Sequence, residues 1–75
     1  MIDLQTVGAS IAFLRRSQGL TQKDLARKMR VCPQAVSKWE RGLAFPDVCY
    51  LDELAGYLSC TIDELLTGVK HNAQI

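Results

Sequence analysis

Between Leu20 and Gly42 the chain reads LTQKDLARKMRVCPQAVSKWERG, a stretch with little freedom in how it can fold. Thr21 suits a helix N-cap, and Asp24 three residues on sits near the positive end of the helix dipole. Leu25, Ala26 and Met29 follow at helical spacing and form an inward face. Pro33 suits the first position of a second helix, where its missing N–H costs nothing. Val36, Trp39 and Glu40 make the inward side of that helix, and Gly42 ends it. Two short helices therefore meet across a tight turn, and the small Ala26 lets them cross closely. The second helix keeps Gln34, Ala35, Ser37 and Lys38 on a face that its core does not need.

The flanking residues continue in helical register. Over about 4–18, Val7, Ile11, Leu14 and Gln18 form one stripe with Phe13 beside it, and Gly19 is a natural stop. Leu43 to Asp47 reads as a loop. Leu51, Leu54, Ala55 and Leu58 mark a fourth helix, with Asp47 as its expected cap. Thr61-Ile62-Asp63-Glu64 is a capping-box pattern that predicts a fifth helix to about Thr67, with Gly68 after it. No segment alternates as a strand. The prediction is an all-α, compact five-helix bundle over residues 1–68, with residues 69–75 as a weakly ordered tail. There is no repeat, low-complexity run or linker.

Size and composition bound the rest. A chain of 75 residues has room for one small domain and buries only roughly 60% of its unfolded surface, so its stability is expected to be marginal. No apolar run approaches the roughly 20 residues of a membrane span. The N-terminus has no basic region before its apolar residues, so a cytoplasmic location is expected. Cys32, Cys49 and Cys60 are odd in number, have no CxxC-like spacing, and read as reduced thiols packed as small hydrophobes. Cys32, at a helix N-terminus, keeps a redox role open. With His71 as the single histidine, no metal, cofactor or catalytic set emerges, and an enzyme is not expected.

Net charge is only +1, but its distribution is lopsided. Residues 11–42 carry eight Lys and Arg against two acids, whereas residues 43–75 carry one Lys against five acids. One side of the fold should be basic. A polar helix face on a basic, tightly turned helix pair is how a helix-turn-helix presents side chains to the major groove of DNA.

The residues that carry a family resemblance run through nearly the whole chain, over about 7–68. They are Ile11, Leu14-Arg15, Gly19-Leu20-Thr21-Gln22, Leu25-Ala26, Val31, Gln34, Val36-Ser37-Lys38-Trp39-Glu40-Arg41-Gly42, Pro46, Leu51, Leu54-Ala55 and Asp63-Glu64-Leu65-Leu66. In this ordered set the chain resembles the phage-repressor and Cro class of helix-turn-helix domains, the XRE family.

The resemblance implies that the helix at about 33–41 is a recognition helix. Gln34 matches a position that reads base edges, and its amide can pair bidentately with adenine. The Ala35 methyl can meet a thymine methyl. Lys38 can reach guanine acceptors or a phosphate, and Ser37 is a further contact candidate, to base or backbone. Gln22 matches a position that holds a phosphate together with the helix N-terminal N–H groups. Lys23, Arg30 and Arg41 are further phosphate candidates. Arg15 and Glu40 match positions that pair between the first and third helices, which removes Arg15 from the contact set. Trp39 reads as core.

Three positions depart from relatives. Pro33 stands where a base-reading polar residue is common, Arg30 where a left-handed turn usually has Gly, and Cys32 where Ser or Thr usually caps. The expected function is a small, sequence-specific regulator of double-stranded DNA, a transcriptional repressor acting as a homodimer on a palindromic site. Tyr50, Tyr57 and Leu65-Leu66 are expected either at the dimer surface or in the monomer core. The alternative is an antitoxin-like or adaptor module that grips another protein through its acidic C-terminal half.

Overall fold

The computed structural model describes residues 3–68. They form five helices in sequence: α1 (Leu4–Ser17), α2 (Gln22–Met29), α3 (Pro33–Glu40), α4 (Val48–Tyr57) and α5 (Ile62–Thr67). The expectation for residues 69–75 lies outside the described residues.

Capping chemistry sets where the helices begin. The Asp3 carboxylate accepts the Thr6 N–H at 3.3 Å at the start of α1. Both α2 and α5 open with a full capping box. Thr21 Oγ1 accepts the Asp24 N–H at 3.0 Å while Asp24 accepts the Thr21 N–H at 2.9 Å. Thr61 and Glu64 repeat the arrangement at 3.0 and 2.9 Å. Two first-turn donors are satisfied reciprocally in each case. Asp47 occupies the N-cap position of α4, but its side chain makes no cap bond. The Tyr50 N–H goes instead to the Asp47 backbone carbonyl at 2.8 Å. Cys32 likewise precedes α3 without a side-chain bond.

The first four helices end alike. A left-handed residue follows the last turn, and the next N–H reaches back five residues. The left-handed residues are Gly19, Arg30, Gly42 and Ser59. The closing bonds run from Leu20 to Arg15, Val31 to Ala26, Leu43 to Lys38 and Cys60 to Ala55, at 2.9–3.1 Å. This is the Schellman termination, which gives orphan carbonyls a partner and turns the chain sharply. Two of the four positions manage it without glycine.

Helix α1 packs against α3 and α5, α2 against α3 and α4, and α4 against α5. Val7, Ile11 and Leu14 from α1 meet Leu25, Ala26 and Met29 from α2, Val36 and Trp39 from α3, Leu51 and Leu54 from α4, then Leu58 and Leu65. Trp39 stacks at a tilt on Tyr50, ring centroids 6.0 Å apart. Lys28 Nζ lies 5.7 Å from the Tyr57 ring centroid and ties α2 to α4.

Several expectations change. Gln18 is the C-cap of α1, and Phe13 is 41% exposed, because the inward stripe ends at Leu14 and Arg15. Cys32 and Cys49 are exposed free thiols, and only Cys60 packs against the core. Leu65 is fully buried and Tyr50 and Leu66 lean on the core, so these three serve the monomer. Tyr57 keeps 39% exposure. A larger apolar surface is open at Leu43, Phe45 and Val48 in and after the α3–α4 connection, where Val48 is 75% exposed.

Candidate nucleic-acid interface

Helix α3 has two unlike faces. Val36 and Trp39 are buried, while Gln34 and Lys38, one turn apart, are exposed. Ala35 and Ser37 are half-buried. Ala35 also packs against the core, so much of its surface is already committed. Pro33 fills the first position of the helix and is exposed, adding a rigid apolar corner beside Gln34.

The turn before α3 is set by Arg30, at φ 59° and ψ 43°. Left-handed backbone costs a non-glycine residue about 1–2 kcal/mol. Arg30 is exposed. Lys23 is exposed in the first turn of α2, and Arg41 caps α3. Arg41 Nε donates only weakly to the Ser37 carbonyl, at 3.4 Å. Lys23, Ala26, Arg27, Val31 and Pro33 line a shallow depression of about 280 Å³ between α2 and the start of α3.

Other basic side chains are engaged elsewhere. Arg27 lies 3.6 Å from Asp24 across an exposed turn, a contact worth little in water. Asp24 itself is held below its ordinary carboxyl range, first by the Thr21 backbone N–H and then by the Thr21 hydroxyl, with Arg27 and Lys28 contributing.

Behind the exposed face sits a polar clamp. Arg15 Nε donates to Glu40 Oε2 at 2.6 Å and Arg15 Nη2 to Glu40 Oε1 at 3.1 Å. Arg15 Nη1 donates to the Leu20 carbonyl at 2.7 Å. The two side chains are only 10% and 5% exposed. Such a fork-to-carboxylate pair is strong because both groups are charged and the geometry is bidentate. Gln22 joins it, with Nε2 donating to Glu40 Oε1 at 2.9 Å. The clamp thus links α1, the α1–α2 turn, α2 and the end of α3.

Sequence reasoning separated Gln22 from Glu40, giving one to phosphate and the other to the scaffold. The structure brings them together. It also missed Gly8, whose Cα abuts the last carbonyls of α3. A β-carbon there would stand 2.7 Å from the Glu40 oxygen and closer still to that of Trp39. The available signal was a glycine inside a helix, where alanine would be favoured unless something pressed close. Among the described residues no group of His, Cys, Asp and Glu could hold a metal. No helix among them is long and apolar enough to cross a membrane.

Residues 11–65 match the helix-turn-helix family model HTH_3. The chain is similar to the HTH-type transcriptional activator BcrR of Enterococcus faecalis, with 44% identity over 55 residues, 73% of this chain. It spans only 27% of the length of that relative. Among solved structures it is similar to the DNA-binding domain of the P22 C2 repressor. The TM-score is 0.80 at 31% identity, over 91% of this chain and 90% of that one. It is also similar to SinR, a master regulator for biofilm formation solved in complex with DNA. There the TM-score is 0.73 at 28% identity, covering 80% of this chain and 97% of the other.

Proposed function

The chain belongs to the XRE-type helix-turn-helix family of DNA-binding transcriptional regulators, and from that premise we propose that it reads a specific operator through α3. The observation that carries this is the pairing of faces on one short helix. Gln34 and Lys38 stand free on the outer side, while Val36, Trp39 and Glu40 hold the inner side rigidly. Base readout needs side chains whose positions are fixed by the scaffold rather than by the DNA.

In this reading Gln34 and Lys38 contact base edges. Ser37 and the uncovered part of Ala35 are secondary base contacts. Gln22, Lys23, Arg30 and Arg41 hold phosphates and set register. The protein acts in the cytoplasm as a homodimer, because one α3 spans too few bases for selectivity. A two-fold pair sets two recognition helices about 34 Å apart. Leu43, Phe45 and Val48 are the apolar surface that a second copy covers, in place of Tyr50 and Leu65. In this reading regulation is repression, by occupancy of the operator.

Selection of bound duplexes from a random pool tests the whole reading. The expected product is a palindromic consensus, bound more weakly as salt rises, with a slope of about −0.9 per phosphate neutralised. Gln34→Ala should lower discrimination between consensus and random duplex while leaving random binding near wild type. Enrichment of no sequence, or affinity indifferent to salt, would return the protein-gripping alternative.

A further inference from the structure

We propose that Glu40 is a positioning residue for DNA binding, acting by aiming the Gln22 amide at a backbone phosphate; the inference rests on the phosphate reading of Gln22 given above. A carboxylate can only accept hydrogen bonds. Glu40 Oε1 lies 2.9 Å from Gln22 Nε2, so the amide must turn its nitrogen inward, and the flipped amide would set oxygen against oxygen. One Nε2 hydrogen is thereby held, and the second is directed by the planarity of the amide.

Glu40 cannot drift, because Arg15 grips both of its oxygens and Arg15 is itself tied to the Leu20 carbonyl. The amide it directs stands at the first position of α2. There the capping box has already taken the N–H groups of Thr21 and Asp24. The N–H groups of Gln22 and Lys23 are left at the helix mouth, where no intrahelical carbonyl reaches them. The second Gln22 Nε2 hydrogen joins them as a third donor for one anion. Glu40 belongs to α3, so the phosphate donors of α2 and the base-reading face of α3 are referenced to one carboxylate.

The test uses the duplex recovered from the random pool, with single phosphates replaced one at a time by neutral methylphosphonate. In the wild type several replacements per half-site are expected to weaken binding, and at the phosphate facing the start of α2 the loss is about tenfold, as for a hydrogen bond to a charged group. In Gln22→Ala that replacement should lose the part of its effect that Nε2 carries, while the backbone N–H groups of residues 22 and 23 keep the rest. Glu40→Gln should lose the same part, because the charged Arg15 Nε claims the amide oxygen and leaves the amide NH2 facing Gln22. Arg15→Lys, which loosens the pair but leaves the carboxylate to Gln22, should keep the effect despite a lower melting temperature. A purely structural role for Glu40 would give the opposite order, with sensitivity following stability. Full methylphosphonate sensitivity in folded Glu40→Gln overturns the proposal while leaving the phosphate role of Gln22 standing. Sensitivity undiminished in Gln22→Ala overturns both. If Glu40→Gln does not fold, wild-type nuclear magnetic resonance decides. One of the two Gln22 side-chain amide protons should be protected from solvent exchange relative to the other and to those of the exposed Gln34; equal, unprotected exchange of both would overturn the proposal.

Discussion

Gly8 and Trp39 touch backbone to backbone: the Trp39 carbonyl oxygen occupies the space that a β-carbon on Gly8 would need. Helix α3 is thereby seated against α1 at its C-terminal end, one turn beyond Val36. Gly8→Ala must separate the two helices or distort one of them. The expected cost is about 1–3 kcal/mol, the usual range for overpacking. In a domain of this size that lowers the melting temperature by roughly 4–8 °C per kcal/mol. Thermal denaturation by circular dichroism measures it, and an unchanged midpoint would mean that the helices part freely.

Removing one partner of the Arg15–Glu40 pair leaves a charge buried without its counter-ion. Arg15→Ala is expected to cost about 3–5 kcal/mol, most of the stability of a small domain. Replacing both residues by Met should cost less than the two single substitutions together, because no buried charge then remains. Urea denaturation of the four proteins gives the cycle. Additive losses would show that the pair is solvated in solution.

Ser59 and Arg30 hold left-handed backbone at φ 58° and 59° without the freedom of glycine. Ser59→Gly should stabilise the domain by about 1 kcal/mol, since it relieves strain at a residue far in sequence from α3. Arg30→Gly should stabilise it similarly but weaken duplex binding, because it removes one of the proposed phosphate contacts. Melting temperatures and salt-dependent affinities of the two variants separate the effects. Equal affinity of Arg30→Gly and wild type would remove Arg30 from the interface.

The Asp24 carboxyl has its pKa lowered below 3.8 by the Thr21 backbone and hydroxyl hydrogen bonds. A group whose folded-state value is depressed adds stability above the unfolded value and loses it as pH falls through the folded one. The capping box of α2 should therefore contribute fully above about pH 4 and fade at lower pH. Asp24→Asn should flatten that part of the acid-side stability curve. Identical curves for the two proteins would assign the acid response to other carboxylates.

The local signals of this fold were legible because they are short-range. Capping boxes at Thr21 and Thr61, stops at Gly19, Gly42 and Gly68, and the stripes through Ile11, Leu25, Val36 and Leu54 each lie within a few residues of what they determine. The left-handed Arg30 was legible only through the family resemblance, since arginine carries no preference for that backbone. Less legible were features that depend on two distant segments meeting. Whether a capping Asp47 would lose its N–H to its own carbonyl depends on the turn into α4. The exposure of Phe13 depends on where α3 and α5 leave α1 uncovered. The link between Gln22 and Glu40 joins residues from opposite ends of the motif, and no spacing rule announces it. Base-contact roles are a further step removed, because they are properties of a complex. What the fold contributes is the open placement of Gln34 and Lys38 and the partial covering of Ala35.

The clamp also bears on portability. The segment from Leu20 to Gly42 looks like a cassette, yet its closing contact at Glu40 is made by Arg15 and its seat is shaped by Gly8, both upstream of it. A graft of the segment alone onto another helical scaffold would carry the side chains proposed to read DNA without the parts that hold them still. A working transplant would have to bring α1 with it, so the smallest exchangeable unit of recognition in this protein is three helices rather than two.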